Sequence, residues 1–326
     1  MTAKTFDRIL AVLGTLGLGC WGACLIAGFS LGGGPWPMPR PDENTAGPKF
    51  RVAVLGDVQK GLGNLAGLLE AIRKERVDLI LQTGDLVAAN DEGHYRLAAL
   101  AFRRAGLRVP MAVVPGNHDI KGGPARFERT VGPLEQSFRR GRVFFVLLNN
   151  AFGEPPDPAR VEAGVARAPA GDAVVLAMHV PPFDAKGNIL PAWEPFVRWL
   201  ERSRVRYLLC GQLHDCVRRE IGSTVVIANG VGGDYESWEL RQKVCAAILD
   251  VDGAAITDRS IELPPSHGIV ANLEHFAAGH LAEAVRARPW IGAAVTALLA
   301  AVAGIGFLRL RMRARRGAAG PGPGMP

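Results

Sequence analysis

The residues of this sequence best suited to chemistry lie in five short polar segments, each placed directly after an apolar run. They are Asp57 with Gln59, Asp85, Asn117 with His118 and Asp119, His179, and Gln212 with His214. Carboxylate, amide and imidazole groups together suit Mn, Mg, Fe or Zn better than a metal that prefers thiolates. If the five segments converge, the pattern predicts a site for divalent metal ions, which are able to activate water.

The apolar runs predict the strands that position these segments. They cover 50–55, 78–82, 109–114, 143–148, 173–178, 205–209, 224–228, 244–251 and 254–263. Stretches with helical periodicity lie between them at 62–76, 93–105, 158–166 and 193–202. Alternation of strand and helix predicts a mostly parallel sheet, and Asp252-Gly253 predicts a closing antiparallel hairpin. In an open sheet of this kind the carboxyl ends of the strands meet at one crevice, so the polar segments are expected to converge.

Each of these residues taken alone also has an ordinary structural explanation. An aspartate after a strand often caps the next helix, and a histidine such as His179 is often a hydrogen-bonded core residue. Asn149 and Asn150 end another run and either line the crevice or begin a turn. The metal hypothesis therefore depends on all five segments converging.

The ordered blocks, including Gly116-Asn117-His118-Asp119, resemble those of the calcineurin-like metallophosphoesterases over about residues 50–263. The resemblance implies an α/β fold, a four-layer α/β/β/α sandwich, and two divalent metal ions acting on a phosphate ester. By position, one ion would be held by Asp57, Gln59, Asp85 and His214. The other would be held by Asp85, Asn117, His179 and Gln212, with Asp85 bridging the two.

Two positions depart from the family pattern, which generally has histidine where this chain has Gln59 and Gln212. A glutamine oxygen still binds hard cations, but it is a weaker donor to a transition metal than imidazole. The departure predicts weak activity or activity dependent on Mg or Mn.

The resemblance also implies a mechanism in which a water shared by the two ions attacks the phosphorus in line. His118 would then act as the general acid that protonates the leaving oxygen, with Asp119 orienting its ring. Asp119 is equally suited to cap the following helix.

Charge argues against a nucleic-acid-binding protein. The formal net charge is +7, but Arg309, Arg311, Arg313, Arg315 and Arg316 supply most of it at the C-terminus. The central domain is nearly neutral and offers no basic surface for a polyanion. A nuclease is therefore disfavoured, whereas a binding or scaffold module that has lost catalysis through Gln59 and Gln212 stays open as the alternative.

Two apolar segments bracket the central domain and predict a membrane protein. The expected organisation is a cytoplasmic N-terminus (1–8), a transmembrane helix or signal anchor (9–31), a Pro/Gly linker (32–49), the phosphoesterase domain (50–264), an amphipathic helix (265–288), a transmembrane helix (289–308) and a basic cytoplasmic tail (309–326). Positive charges at both termini place the central domain on the extracytoplasmic side. The first segment also fits a cleaved signal peptide, and the second a buried core helix.

The five cysteines show no metal-finger spacing and no disulfide framework. Cys20 and Cys24 lack the preceding aliphatic residue expected of a lipid attachment site. The sequence leaves the substrate open, with a lipid or envelope-linked phosphate favoured by the predicted membrane location, and it leaves the oligomeric state open.

Overall fold

The computed structural model describes residues 3–30, 36–41, 47–230, 244–265, 273 and 275–318. They divide into two compact units, one formed by Met1–Leu31 with Phe276–Pro326 and the other by Gly32–His275. The helices are α1 (Ala3–Ser30), α2 (Leu62–Lys74), α3 (Glu92–Ala105), α4 (Asn117–Ile120), α5 (Ala125–Thr130), α6 (Pro158–Val165), α7 (Glu194–Leu200), α8 (Ala282–Ala287) and α9 (Pro289–Ala318).

The larger unit contains two sheets. The strands are β1 (Lys49–Leu55), β2 (Leu79–Gln82), β3 (Met111–Val113), β4 (Gln136–Arg140), β5 (Val143–Leu147), β6 (Ala173–Ala177), β7 (Val205–Cys210), β8 (Val217–Ile221), β9 (Thr224–Ala228), β10 (Val244–Asp252) and β11 (Ala255–Leu263). One sheet has the order β11-β10-β1-β2-β3, and the other has the order β4-β5-β6-β7-β9-β8. The fold is the α/β sandwich expected from the sequence.

The sheets face each other across an apolar core. Val52 and Val54 of β1, Val175 of β6 and Leu209 of β7 are fully buried in this layer. Alternate residues of the second sheet, such as Leu176 and Leu208, pack on the other side against α6 and α7. This alternation lets the strands bury both faces, which is why they appear in the sequence as nearly continuous apolar runs.

Parallel pairing within each sheet sets the position of the polar segments. β1, β2 and β3 are parallel neighbours, as are β5, β6, β7 and β9. The chain therefore leaves β1, β2, β3, β6 and β7 at corresponding ends of the two sheets, where each of the five polar segments begins.

Two strands and two short helices were not predicted from the sequence. β4 and β8 are rich in polar residues and pair antiparallel at sheet edges, and α4 and α5 are only four and six residues long. The predicted hairpin between β10 and β11 is confirmed, with Gly253 at a φ of 62° in its turn. A left-handed φ is the conformation that glycine allows there.

The smaller unit contains two helices that are long and apolar enough to cross a bilayer, at Arg8–Ile26 and Pro289–Met312. Only 11% and 17% of these windows are buried, whereas the core helix of a soluble protein is mostly buried. The described part of the predicted amphipathic helix is a π-helical turn at His275–Leu281 followed by α8. Residues 266–272, which belong to the same prediction, lie outside the described residues.

Candidate metal centre

The structure brings the predicted ligands of the two sheets together. Asp57 follows β1, Asp85 follows β2, and His179 follows β6; their ligand atoms lie within 4.8 Å of one another. All three side chains are buried. Convergence, the condition on which the metal hypothesis depends, is met for these residues from three separate segments.

The remaining predicted residues border this group. Nε2 of His214 lies 3.6 Å from Oδ1 of Asp57, and the backbone N–H of Gln212 donates to the same oxygen at 3.0 Å. The backbone N–H of His118 donates to Oδ1 of Asp85 at 3.0 Å. Asn117, the residue before it, is the first residue of α4, which follows β3.

Three buried ligand atoms make no hydrogen bond within the described residues. They are Oδ2 of Asp57, Oδ1 of Asn117 and Nε2 of His179. A buried polar atom without a partner costs about 1–3 kcal/mol, and more when it is charged. Since a divalent cation accepts lone pairs from all three atom types, these residues fit a metal ion.

The ring of His179 is oriented for coordination by its other nitrogen. Nδ1 lies 2.9 Å from the backbone oxygen of Thr83, the distance of an N–H donating to a carbonyl. With the proton on Nδ1, the neutral ring keeps its lone pair on Nε2, which lies 3.6 Å from Oδ1 of Asp85. Such a second bond is the usual way to fix the tautomer of a histidine ligand.

Gln59 lies at the centre, but its amide nitrogen faces the neighbouring groups. Nε2 donates to Oδ2 of Asp85 at 2.7 Å and lies 3.4 Å from Nε2 of His214. A half-turn of the terminal amide would present the oxygen instead, since the two orientations have nearly the same shape. The ligand role of Gln59 therefore stays a prediction, as do the roles of Gln212 and of the other site residues.

Burial and mutual repulsion act on the acidic groups of the centre. Burial, followed by the charge of Asp85, raises the pKa of Asp57 well above its usual range. The same two causes raise the pKa of Asp119 to about 8. Burial lowers the pKa of His179, which keeps its ring neutral and able to coordinate. The protein thus concentrates negative charge where a cation would offset it.

The backbone is left-handed at most of the predicted ligands. Asp57, Gln59, Asp85, Gln212 and His214 have φ values between 40° and 67°, and among the described residues other than glycine only Arg76 shares this region. Such conformations cost about 1 kcal/mol or more each and persist where the surrounding structure enforces them. Their concentration at the centre indicates that the fold accepts a strained backbone here in order to place these side chains.

Two glycines allow the loops to meet. A Cβ on Gly116 would overlap the backbone nitrogen and Oδ1 of Asp85, and one on Gly84 would overlap the ring of His179. The glycines that flank the polar blocks in the sequence therefore serve close backbone approach as well as turn formation.

His118 and Asp119 have different partners from those expected. Nδ1 of His118 lies 2.8 Å from the backbone oxygen of Ala88, so a backbone carbonyl orients the ring. The carboxylate of Asp119 instead accepts from the backbone N–H groups of Gly116, Leu86 and Val87 at 2.9, 3.2 and 3.0 Å. Asp119 therefore connects the loop that carries Asp85 to the loop that carries Asn117. This resembles the capping role that the sequence also allowed for Asp119.

Asn150 has a role in this centre that the sequence left open. Its buried side-chain oxygen accepts from the backbone N–H groups of His179 and Val180 at 2.8 and 3.1 Å, and its nitrogen donates to the oxygen of Val180 at 2.8 Å. It thereby fixes the backbone of the loop that presents His179. The sequence signal was an asparagine at the end of an apolar run, which also fits a turn.

A disulfide joins Cys216 to Cys245, which are 29 positions apart. The cysteine spacing gave no indication of this pair. Because Cys216 lies two residues after His214, the bridge attaches the end of the His214 segment to β10.

The raised pKa values predict how metal removal affects stability. The pKa of an aspartate is about 3.9 in an unfolded chain, so raised native values mean that the cation-free native state binds more protons between about pH 4 and 8. The two aspartates therefore make the cation-free protein less stable as pH rises through this window, and they outweigh His179, whose lowered pKa acts in the opposite direction below about pH 6.5. We expect the gap in melting temperature between Mn²⁺-loaded and EDTA-treated full chain to be wider at pH 8 than at pH 5. A gap that is constant or narrower at pH 8 would contradict this.

The chain was compared with protein-family models and with known proteins, and a family model matches it. The family model described as calcineurin-like phosphoesterase matches residues 50–216. A probable cyclic nucleotide phosphodiesterase of Rhodopseudomonas palustris is 30% identical over 172 residues, which cover 46% of this chain and 62% of the relative. The match thus spans less than two thirds of that relative's length.

Solved structures are also similar to this chain. Purple acid phosphatase PPD1 from seeds of yellow lupin (Lupinus luteus) is 13% identical, with 70% of this chain and 56% of that chain covered and a TM-score of 0.48. GAP50, described as the anchor in the inner membrane complex of Plasmodium, is 15% identical, with 71% and 94% covered and a TM-score of 0.49.

Proposed function

This chain belongs to the calcineurin-like phosphoesterase family, and from that premise we propose that it hydrolyses a phosphomonoester or phosphodiester with divalent metal ions while anchored in a membrane. The observation that carries the proposal is the set of buried, unpartnered ligand atoms of Asp57, Asn117 and His179 around Asp85. A binding module without ions would leave these atoms unsatisfied at a cost in stability.

Asp85 is the central acceptor of the proposed site. Asp57 and His214 would hold an ion on one side of it, and Asn117 and His179 would hold an ion on the other. Gln59 and Gln212 would complete the two sides through their oxygens, which suits Mg or Mn better than Zn. Bound ions of this kind would lower the pKa of a bound water and polarise the phosphoryl oxygens.

Three other residues of the chain have proposed roles in the reaction. His118 is only partly buried, so its ring can reach a substrate, and its Nδ1–H is held by the oxygen of Ala88. In the proposed role it keeps that bond and gives a proton from Nε2 to the leaving oxygen. Asn150 and Asp119 hold the loops in place and touch no reacting atom.

Replacing His118 by alanine is expected to lower turnover by about 10²–10⁴-fold on an alkyl phosphate ester, because an alkoxide leaves poorly without a proton. The loss should be much smaller on a p-nitrophenyl ester, whose leaving group needs little protonation. Turnover of both esters by the full chain, with metal content measured alongside, tests this role.

His94 provides the matched control, since it is a buried histidine that bonds to Asp91 outside the centre. His94→Ala should not change the ratio of the two rates. An equal loss on both esters in His118→Ala, or a loss of metal, would assign His118 a binding role instead.

The membrane part of the proposal is supported by the packing within the smaller unit. A Cβ on Gly14 would overlap the backbone of Ala303, and one on Gly306 would overlap Ala11, so α1 and α9 are in close backbone contact. The indole N–H of Trp21 also donates to Oγ1 of Thr296 at 2.9 Å. Small residues that allow such approach are typical of transmembrane helix pairs. This supports α1 as a retained anchor rather than a cleaved signal peptide.

The proposed side of the membrane is extracytoplasmic. The arginines that follow the apolar part of α9 favour a cytoplasmic C-terminus. The disulfide between Cys216 and Cys245 is a second argument, because disulfides persist mainly in oxidising compartments.

The topology has a direct test. In right-side-out membrane vesicles, protease should remove the domain while leaving a C-terminal epitope tag intact, and in inverted vesicles the outcome should reverse. The intact mass of the purified protein should include residues 1–31. Protection of the domain in right-side-out vesicles would contradict the orientation, and a mass lacking these residues would contradict the retained anchor.

A phosphodiester is the substrate class to test first, since the relative from Rhodopseudomonas palustris is named as a phosphodiesterase. Membrane anchoring extends the proposal to lipid or envelope-linked phosphates. The rate of hydrolysis of lipid phosphate esters in mixed micelles, compared with that of soluble esters at equal concentration, would distinguish a lipid substrate from a soluble one. Equal rates would count against a lipid substrate.

A further inference from the structure

A cavity in the larger unit lies among α3, α5 and the segment 36–41. It has a volume of about 590 Å³ and is lined by the side chains of Trp36, Met38, Arg40, Arg96, Arg126 and Arg129, among others. We call it the arginine pocket. Its lining includes none of the predicted metal ligands.

The pocket is built by three separate parts of the chain. The backbone N–H of Met111 donates to the oxygen of Pro39 at 2.8 Å, which holds the segment 36–41 along the edge strand β3. Trp36 packs edge-on against Phe102 of α3 at 5.8 Å, and Met38 is buried. These contacts hold Arg40 in the lining that it shares with the arginines of α3 and α5.

Positive charge dominates the pocket. Four arginines line it, and the single acidic residue in its lining, Glu92, forms an ion pair with Arg96. Arg40, Arg126 and Arg129 make no ion pair with any residue that the structure describes. Elsewhere in the domain, buried or half-buried acidic groups pair with arginines, as in Arg51–Asp250, Arg139–Asp172 and Arg218–Asp258.

Guanidinium groups that share a cavity repel one another, so their assembly without matching carboxylates favours an external anion. Arginine presents a planar set of N–H donors that matches the oxygens of a phosphate group and binds them in pairs. The volume is within the range of small-molecule sites, and the apolar wall of Trp36 and Met38 would accept an uncharged part of the ligand.

We infer that the arginine pocket binds the phosphate group of a phosphorylated anion at a site separate from the metal centre. The ligand is either a soluble phosphate compound or the headgroup of an anionic phospholipid. The inference does not depend on the proposed hydrolytic activity, because none of its residues belongs to the proposed catalytic machinery.

One connection to the metal centre exists. Tyr95 of α3 lines the pocket, and its hydroxyl donates to the backbone oxygen of Asp119 at 2.9 Å. A ligand in the pocket would therefore lie beside Tyr95, whose hydroxyl bonds to Asp119, the residue that supports the loops of Asp85 and Asn117.

Titration of inorganic phosphate into the full chain in uncharged detergent micelles with EDTA tests the inference. Removal of divalent cations leaves the metal centre with excess negative charge, so it does not attract phosphate. We expect saturable binding by calorimetry together with a change in tryptophan fluorescence that disappears in Trp36→Phe. The double variant R126Q/R129Q should bind at least about tenfold more weakly, as expected for the loss of charge-assisted hydrogen bonds.

The matched control is R108Q/R206Q, which removes the same charge from two exposed arginines outside the pocket. It should bind like the wild type. An equal loss in both double variants, or no saturable binding by the wild type, would overturn the inference. Arg129→Gln alone changes an exposed side chain and should still weaken binding severalfold, which keeps the test valid should the double variant fold poorly.

The same titration in lipid bilayers identifies the source of the ligand. If phosphate binds to the protein in phosphatidylcholine bilayers but not in bilayers containing phosphatidylglycerol, the headgroups of phosphatidylglycerol already occupy the pocket. If it binds equally in both, the ligand is a soluble phosphate compound.

Discussion

Asp85→Asn is expected to lower phosphoester turnover by about 10³-fold and to abolish tight metal binding. The change keeps the shape of the side chain but removes the charge that contacts Gln59, His118 and His179. A unit charge about 4 Å from a singly charged partner contributes about 4 kcal/mol at an effective dielectric of 20, and each 1.36 kcal/mol is tenfold in rate.

The same substitution should raise the melting temperature of the EDTA-treated protein. Asp85 is a cause of the raised pKa of Asp57, because the two carboxylates repel each other when no cation lies between them. Removing one charge relieves this repulsion, so Asp85→Asn is expected to lower activity while it stabilises the EDTA-treated protein. Steady-state kinetics, elemental analysis and thermal unfolding with and without Mn²⁺ give the three readouts.

Asp184→Asn is the control, because Asp184 lies in an exposed turn that it stabilises by its own hydrogen bonds. It should leave turnover and metal content unchanged. Wild-type metal content and turnover in Asp85→Asn would contradict the proposed centre.

Asp119→Ala is expected to lower the free energy of unfolding by about 3 kcal/mol or more. It leaves the backbone N–H groups of Gly116, Leu86 and Val87 buried without an acceptor, at about 1–3 kcal/mol each. In a domain of this size, about 3 kcal/mol corresponds to a fall in melting temperature of about 6–12 °C. Metal affinity and turnover should fall together, because the loops of Asp85 and Asn117 lose their common support.

The result separates two roles for Asp119. Should Asp119 act by orienting His118, Asp119→Ala would reproduce the selective loss on alkyl esters expected of His118→Ala, without loss of metal. A structural role predicts loss on both ester types and a lower melting temperature. Asp119→Asn, which keeps one accepting oxygen, should fall between Asp119→Ala and the wild type in both measurements.

The sequence predicted the parts of the fold that depend on periodic patterns. β1, β2, β6 and β7 were found because both faces of each strand are buried, which produces unbroken apolar runs. β4 and β8 were not found, since edge strands such as Gln136–Arg140 carry polar residues on an exposed face. Their pairing is set by tertiary contacts that no local pattern encodes.

The candidate centre was predicted as a set of residues but not as a set of contacts. Parallel strands fix the convergence of Asp57, Asp85 and His179, so residue type and position were sufficient. The partners of Asp119 and the direction of the Gln59 amide depend on how two loops lie against each other. The pairing of Cys216 with Cys245 likewise depends on the approach of β10, which is distant in sequence.

The left-handed backbone at Asp57, Gln59, Asp85, Gln212 and His214 has a consequence for how this protein tolerates mutation. Glycine at any of these positions would relax the local conformation while deleting a proposed metal ligand, whereas valine or isoleucine would be excluded by shape alone. A glycine variant at one of these positions is therefore expected to be sturdier without the cation and less active.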